Sequence, residues 1–175
     1  MQSHPGSRLR NIVVVTVCLL GSAWAAELED TIDSSARRGL DYLKAMQKEN
    51  GAWSNENYPA MTALGLWAFA RSEHPDRAQV CRRAAAFVAS FVQDDGGIYK
   101  PASGGRGTGG LSTYNTALCT IALHAYDASR YAPVILAARA FVASSQLEGD
   151  SPGAGGFGYD PPTPGAGPRR NRADR

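Results

Sequence analysis

The chain has 175 residues, a length suited to one domain, and carries 18 Lys and Arg against 16 Asp and Glu. Removing residues 1–25 takes Arg8 and Arg10 and no acid, leaving a neutral body without the concentrated basic face that a nucleic acid needs. No C-x-x-C spacing occurs and only His74 and His124 follow Ala25, so neither a metal site nor a cofactor is expected.

Residues 1–25 read as a secretory signal. Arg8 and Arg10 precede the apolar run Ile12 to Leu20, and Ala23-Trp24-Ala25 is a small-x-small cleavage site. The run is too short for a stable membrane anchor. The expectation is cleavage after Ala25 and a secreted or periplasmic protein with no stable membrane span.

The body, residues 26–160, repeats itself. Arg38-Gly39, Tyr42-Leu43, Gln47 and Gly51-Ala52-Trp53 form one copy. Phe87-Val88, Gln93 and Gly97-Ile98-Tyr99 form a second; Phe141-Val142, Gln146 and Gly156-Phe157-Gly158-Tyr159 form a third. Thr62-Ala63-Leu64 returns as Thr116-Ala117-Leu118, and Phe87-Val88-Ala89-Ser90 as Phe141-Val142-Ala143-Ser144, both at the same offset. A shared offset of that size predicts stacked supersecondary units, each unable to bury its apolar face alone.

The first half of each copy is predicted helical. Leu40, Leu43 and Met46 with Tyr42 share a face, as do Ala84, Phe87, Val88 and Phe91. Asn50-Gly51 and Asp95-Gly96-Gly97 are predicted to stop these helices. The second half is helical again, with stripes at Ala63, Leu64, Trp67, Ala68 and at Ala117, Leu118, Ile121, Ala122. Pro59 suits a first helical turn, and Pro133 stands where the next outer helix begins. No segment of the body alternates with period two, so the fold class is all-α. Gln47, Gln93 and Gln146, with the aromatics Trp53 and Tyr99, are read as ties between repeats. The amide would serve open backbone groups at helix ends, and the ring would stack on the amide. Cys81 and Cys119 fall on apolar helical stretches and are read either as a disulfide or as two buried free thiols.

The third copy reaches its glycine–aromatic turn, and no second helix follows. Residues 161–175, rich in Pro, Gly and Arg, read as a disordered tail. The expectation is a fragment, or a frame lost near Gly165.

Arg38-Gly39, Tyr42-Leu43, Gln47 and Gly51-Ala52-Trp53 resemble the QW repeat of the terpene cyclase and protein prenyltransferase superfamily. Thr113-Tyr114-Asn115-Thr116-Ala117-Leu118 resembles the secreted bacterial proteins with prenyltransferase and squalene-oxidase repeats. Copy two departs by one extra residue before Gln93 and by Tyr99 in place of Trp. Copy three departs by the insertion Leu147 to Gly155. The resemblance covers residues 34–160. It implies an α/α toroid of inner and outer helices around a cavity, incomplete here because two and a half repeats do not close a ring.

The resemblance also implies chemistry to look for. Related cyclases protonate a polyene from an Asp-x-Asp-Asp cluster; Asp94-Asp95 lacks the leading aspartate and sits in a turn. Related prenyltransferases hold zinc by an Asp-x-Cys pair and a distant His; Ala117 stands where that aspartate would precede Cys119, and His124 is one further ligand at most. The loop Gly104 to Gly110 with Arg106 has no following Lys-Ser pair and reads as an inter-helix connection. Two functional readings follow: a terpenoid-cyclase-like protein with an isoprenoid or other apolar molecule in the cavity and Trp67 and Tyr114 lining it, or a non-catalytic exported binding or scaffold module on the same fold.

Overall fold

A computed structural model describes residues 28–101, 111–150 and 153–161. These residues form five helices: α1 over 28–46, α2 over Pro59–Ala70, α3 over Arg77–Ala89, α4 over Ser112–Asp127 and α5 over Ala132–Ser144. Among the described residues there is no strand; the extended pairs Val92–Ile98 and Gln146–Phe157 are isolated bridges. The segment read as a signal, the Gly104–Gly110 loop and the residues beyond 161 lie outside the described residues.

By contact the chain divides into two units, Met1–Tyr42 and Leu43–Arg175. The first holds the opening part of α1. There Arg38 donates back along the helix to the hydroxyls of Ser34 and Ser35 (3.3 and 3.0 Å), and Leu28, Ile32 and Tyr42 are exposed. The shared face expected for Leu40, Leu43, Tyr42 and Met46 splits. Leu40 and Leu43 are half-buried while Tyr42 and Met46 face solvent.

In the second unit α2 packs on α3 and α4, α4 packs on α5, and α3 touches α4. The core follows the repeat. Cys81, Ala84 and Phe87 in α3 become Ile135, Ala138 and Phe141 in α5; Cys81 and Ala84 and all three of the α5 residues are buried, and Phe87 is half-buried. Small residues at the buried positions, Ala84, Ala85 and Ala138, let the helices approach closely. Pro59 and Pro133 stand in the first turns of α2 and α5, where the missing N–H is no loss.

Three turns share one backbone pattern. Lys48 N–H donates to Ala52 (2.9 Å), Gln93 N–H to Gly97 (2.8 Å) and Leu147 N–H to Gly156 (2.8 Å). The donor's own carbonyl accepts from Gly51 in the first turn, Gly96 in the second and, in the third, Gly155 donates to Leu147 (2.8 Å). Gly51, Gly96 and Gly155 have φ of +89°, +85° and +81°, the left-handed region open to glycine. The helices themselves end earlier than the glycines; α3 stops at Ala89, and a short extended link leads into the turn.

This register corrects one expectation. The residue equivalent to Gln47 is Val92, not Gln93, and the residue equivalent to Trp53 is Ile98, not Tyr99. In this register the second copy has no extra residue: Phe87-Val88 precedes Val92 at the spacing by which Tyr42-Leu43 precedes Gln47, and the backbone bonds and the left-handed glycine fix the turn's frame. A second bond confirms the pairing. Trp53 N–H donates to the Thr62 hydroxyl (3.1 Å), and Ile98 N–H to the Thr116 hydroxyl (2.8 Å). Both threonines are fully buried, which explains why Thr-Ala-Leu recurs: each hydroxyl closes the turn onto its following helix.

Candidate functional site

Exposed apolar side chains of the second unit include Leu136 on α5, Phe157 and Tyr159 after it, and a set on α2 and α4. On α2, Met61, Leu64 and Trp67 are 43%, 41% and 41% exposed and follow one another at three-residue steps. On α4, Tyr114 and Ile121 are exposed and Leu118 between them is half-buried. Leu64 and Leu118 occupy one repeat position, Trp67 and Ile121 another. Those two positions recur outward in both copies, whereas Asn115 and Ala60, the counterparts of Met61 and Tyr114, are buried. Trp67 and Tyr114 thus both stand on this outward face.

The N-terminal ends of the two helices adjoin. Asn115 Oδ1 accepts from the Ala60 N–H (3.2 Å), closing the start of α2 from the start of α4. The start of α4 is closed by the third turn. One oxygen of Asp160 accepts from Leu111 N–H, Ser112 N–H and the Ser112 hydroxyl (3.0, 2.9 and 2.8 Å), and the Tyr159 carbonyl accepts from Thr113 N–H (2.9 Å) and Tyr114 N–H (3.4 Å). A carboxylate there also meets the positive end of the helix dipole. Tyr159 is carried with it, its ring edge-on to Tyr114 at 6.2 Å and 68°. Asp160 is remote from Ser112 in sequence, so no local signal could have revealed the contact.

The repeat-tying residues divide by register. Gln47, buried, donates to the Gly51 carbonyl within its turn and to the Val80 carbonyl of α3 (both 3.1 Å), and accepts from Arg83. Gln146 makes the matching turn bond, to Gly155 (2.8 Å). Gln93, one place along, closes its own turn through the Phe91 and Tyr99 carbonyls (2.8 and 3.0 Å). Where the first copy has the polar pair Gln47 and Arg83, the second has Val92 and Ala137, both exposed.

Trp53 stacks on Phe69 (6.1 Å, 12°) and donates its indole N–H to the Leu43 carbonyl (2.7 Å). Phe69 in turn meets His74 edge-on at 5.3 Å, and buried His74 accepts the Asp76 N–H on Nδ1. Tyr99 lies 5.7 Å from Phe141 of α5 and donates its hydroxyl to Asp95 (2.6 Å). It therefore still bridges to α5, from a position next to the one matched to Trp53.

The acidic pair is engaged in the turn. Asp95 accepts the Gly97 N–H on one oxygen (2.9 Å) and the Tyr99 hydroxyl on the other, the arrangement of a turn-closing carboxylate. Burial, then the bond to and charge of Asp95, push Tyr99 up to about 12 from an ordinary 10.0. Among the described residues no group of three or more His, Cys, Asp and Glu is placed to hold a metal ion, and His124 is exposed. No helix among them is long and apolar enough to cross a membrane.

Cys81 and Cys119 are free and buried. Burial raises both thiols, Cys81 to about 11 from an ordinary 9.0. In the unfolded chain they ionise near 9 while the folded ones keep their protons, so the unfolded state binds fewer protons above that pH. Stability is therefore expected to fall as pH rises past about 9, with Tyr99 adding to the loss above about 10. Urea unfolding midpoints across that range check it, and a flat profile would contradict the burial of these groups.

Comparison with protein-family models, with curated proteins and with solved structures returned no match.

Proposed function

We propose that this chain is an exported helical-repeat protein of the prenyltransferase and squalene-oxidase-repeat kind. Its helices are part of an α/α toroid, with α2 and α4 as inner helices, and it acts as a binding module for an apolar molecule of isoprenoid type. The single observation that carries the reading is the outward apolar stripe, with Leu64 and Trp67 in one repeat and Leu118 and Ile121 at the same positions in the next. A repeated unit that spends apolar side chains on an open face gains from them only when something apolar covers it.

Binding is favoured over catalysis because Asp95 already holds a turn and a tyrosine hydroxyl. The cyclase-like reading would use the same rings, Trp67 and Tyr114, as faces for a carbocation. It needs in addition an acid strong enough to protonate a polyene.

Titration of the full chain with farnesol, followed by tryptophan fluorescence, tests this. Beyond Ala25 the tryptophans are Trp53, which is buried, and Trp67, which is exposed, so the change should come from Trp67. Saturable quenching is expected, and by isothermal titration calorimetry, which does not depend on the ring removed, Trp67→Ala should weaken binding by about tenfold, one large aromatic contact. No saturable response in the unmodified chain would end the binding reading. A cyclised product from incubation with squalene would restore the enzymatic one.

A further inference from the structure

We infer that the third turn of one copy of this chain receives α1 of a second copy, in the same contact that the first turn makes with α3. The inference rests on the register of the repeats and is independent of the binding reading above.

The contact exists once within the chain. Gln47 is held to its turn by the bond to the Gly51 carbonyl, donates to the Val80 carbonyl and accepts from Arg83, both of α3. Gly51 lies so near the Arg83 carbonyl that no Cβ fits between them. The second turn repeats the approach of glycine to outer helix, with Gly96 against the Ala137 carbonyl, but has Val92 in place of the glutamine. The third turn brings the glutamine back. Gln146 makes the matching bond to the Gly155 carbonyl, and Gly155 keeps the left-handed φ. Yet Gln146 is exposed and its Oε1 has no partner among the described residues. A Cβ at Gly155 would meet nothing within 4 Å. The turn is shaped to receive an outer helix, and no described helix covers it.

The helix that fits is α1. In the corrected register Arg37 and Arg38 of α1 stand at the places of Arg82 and Arg83 of α3, and Ser35 at that of Val80. In α5 the same two places hold Leu136 and Ala137. The arginine that answers a glutamine is thus present in α3, which faces Gln47, absent from α5, which faces the turn with Val92, and present again in α1. Arg38 is exposed and donates to hydroxyls of its own helix. Gly39 stands at the place of Ala84 and Ala138, both fully buried, yet it is exposed, and a Cβ there would meet nothing within 4 Å. So α1 keeps the small residue and the arginine of a docked outer helix on an uncovered face. Charge agrees: exposed Glu148 and Asp150 follow Gln146 in the third turn, and Arg37 adjoins Arg38. Each copy offers one turn and one helix, so the contact is heterologous, and each association leaves a turn and a helix to continue or to close.

Sedimentation equilibrium of the full chain tests the inference. The contact is small, so the weight-average mass should rise with concentration up to about 1 mM. Arg38→Glu removes the donor to Gln146 and sets a carboxylate against Glu148 and Asp150. Gly155→Ala puts a Cβ where the Arg38 carbonyl of the second copy would lie, although nothing within its own chain obstructs it. Each should weaken association about tenfold or more, while unfolding midpoints report that the variants are folded. Mixing the two is the sharper measurement. The Arg38→Glu chain keeps an intact turn and the Gly155→Ala chain an intact α1, so together they should form a 1:1 complex that does not grow. Adhesion through apolar side chains would not give that stoichiometry. A monomer at every concentration overturns the inference, as does association that survives both substitutions or a mixture that forms no complex. Because the readout is mass, each of these results leaves the farnesol test undecided by it.

Discussion

Gly51→Ala is expected to destabilise the fold by about 3 kcal/mol or more, as the sum of a left-handed backbone and a steric conflict. At φ +89° an added Cβ points directly at the Arg83 carbonyl of α3, which is backbone and cannot swing aside. Moving α3 to make room would also pull Val80 and Arg83 from Gln47. The same substitution at the two other turns grades the effect. At Gly96 the new atom would stand 2.8 Å from the Ala137 carbonyl of α5, a milder conflict at a similar φ. At Gly155 nothing lies within 4 Å, so only the conformational cost of about 1 kcal/mol remains. Chemical unfolding of the three single variants should rank them Gly51, Gly96, Gly155 in decreasing loss. Equal losses would mean that close approach to the next outer helix plays no part.

Trp53→Ala is expected to cost about 3–5 kcal/mol, the range for removing a buried large aromatic. The ring is 6% exposed, stacked on Phe69, bonded through its indole N–H, and pressed against Gly65. A Cβ at residue 65 would come within 2.7 Å of the indole, so the large ring and the missing side chain belong together. The second copy answers the same problem with Ile98 and Cys119 at these two positions. Transplanting that answer gives a sharper test than deletion. Gly65→Cys alone should clash and Trp53→Ile alone should leave a void. The double variant should lose less than the two losses added, with a coupling of about 1 kcal/mol or more. Strict additivity would show that residues 53 and 65 do not share their space.

These expectations bear on function through rigidity. The first turn is bonded to α3 and the second packs on α5, and the threonine hydroxyls lock these turns to α2 and α4. Trp67 and Tyr114 are thus held by a scaffold whose polar groups are spent internally.

The helical class, the existence of a repeat and its constant offset were legible in the sequence, because helical periodicity and recurring words are local properties of the chain. Trp67 and Tyr114 are read as cavity lining from the resemblance; that both are exposed is given only by the packing. What the sequence alone could not determine was register and closure. Gln93 looks like the partner of Gln47, yet the backbone bonds give that place to Val92, because a turn is framed by its hydrogen bonds and its left-handed glycine, not by the side chain it resembles. Tyr99 looks like Trp53 for the same reason and is displaced by Ile98. The role of Asp160, three bonds onto a helix that begins far earlier in the chain, depends on where the third turn comes to rest in space. Short-range patterns determine which segments coil; only packing decides which helix end each polar group closes and which apolar side chains are left outside.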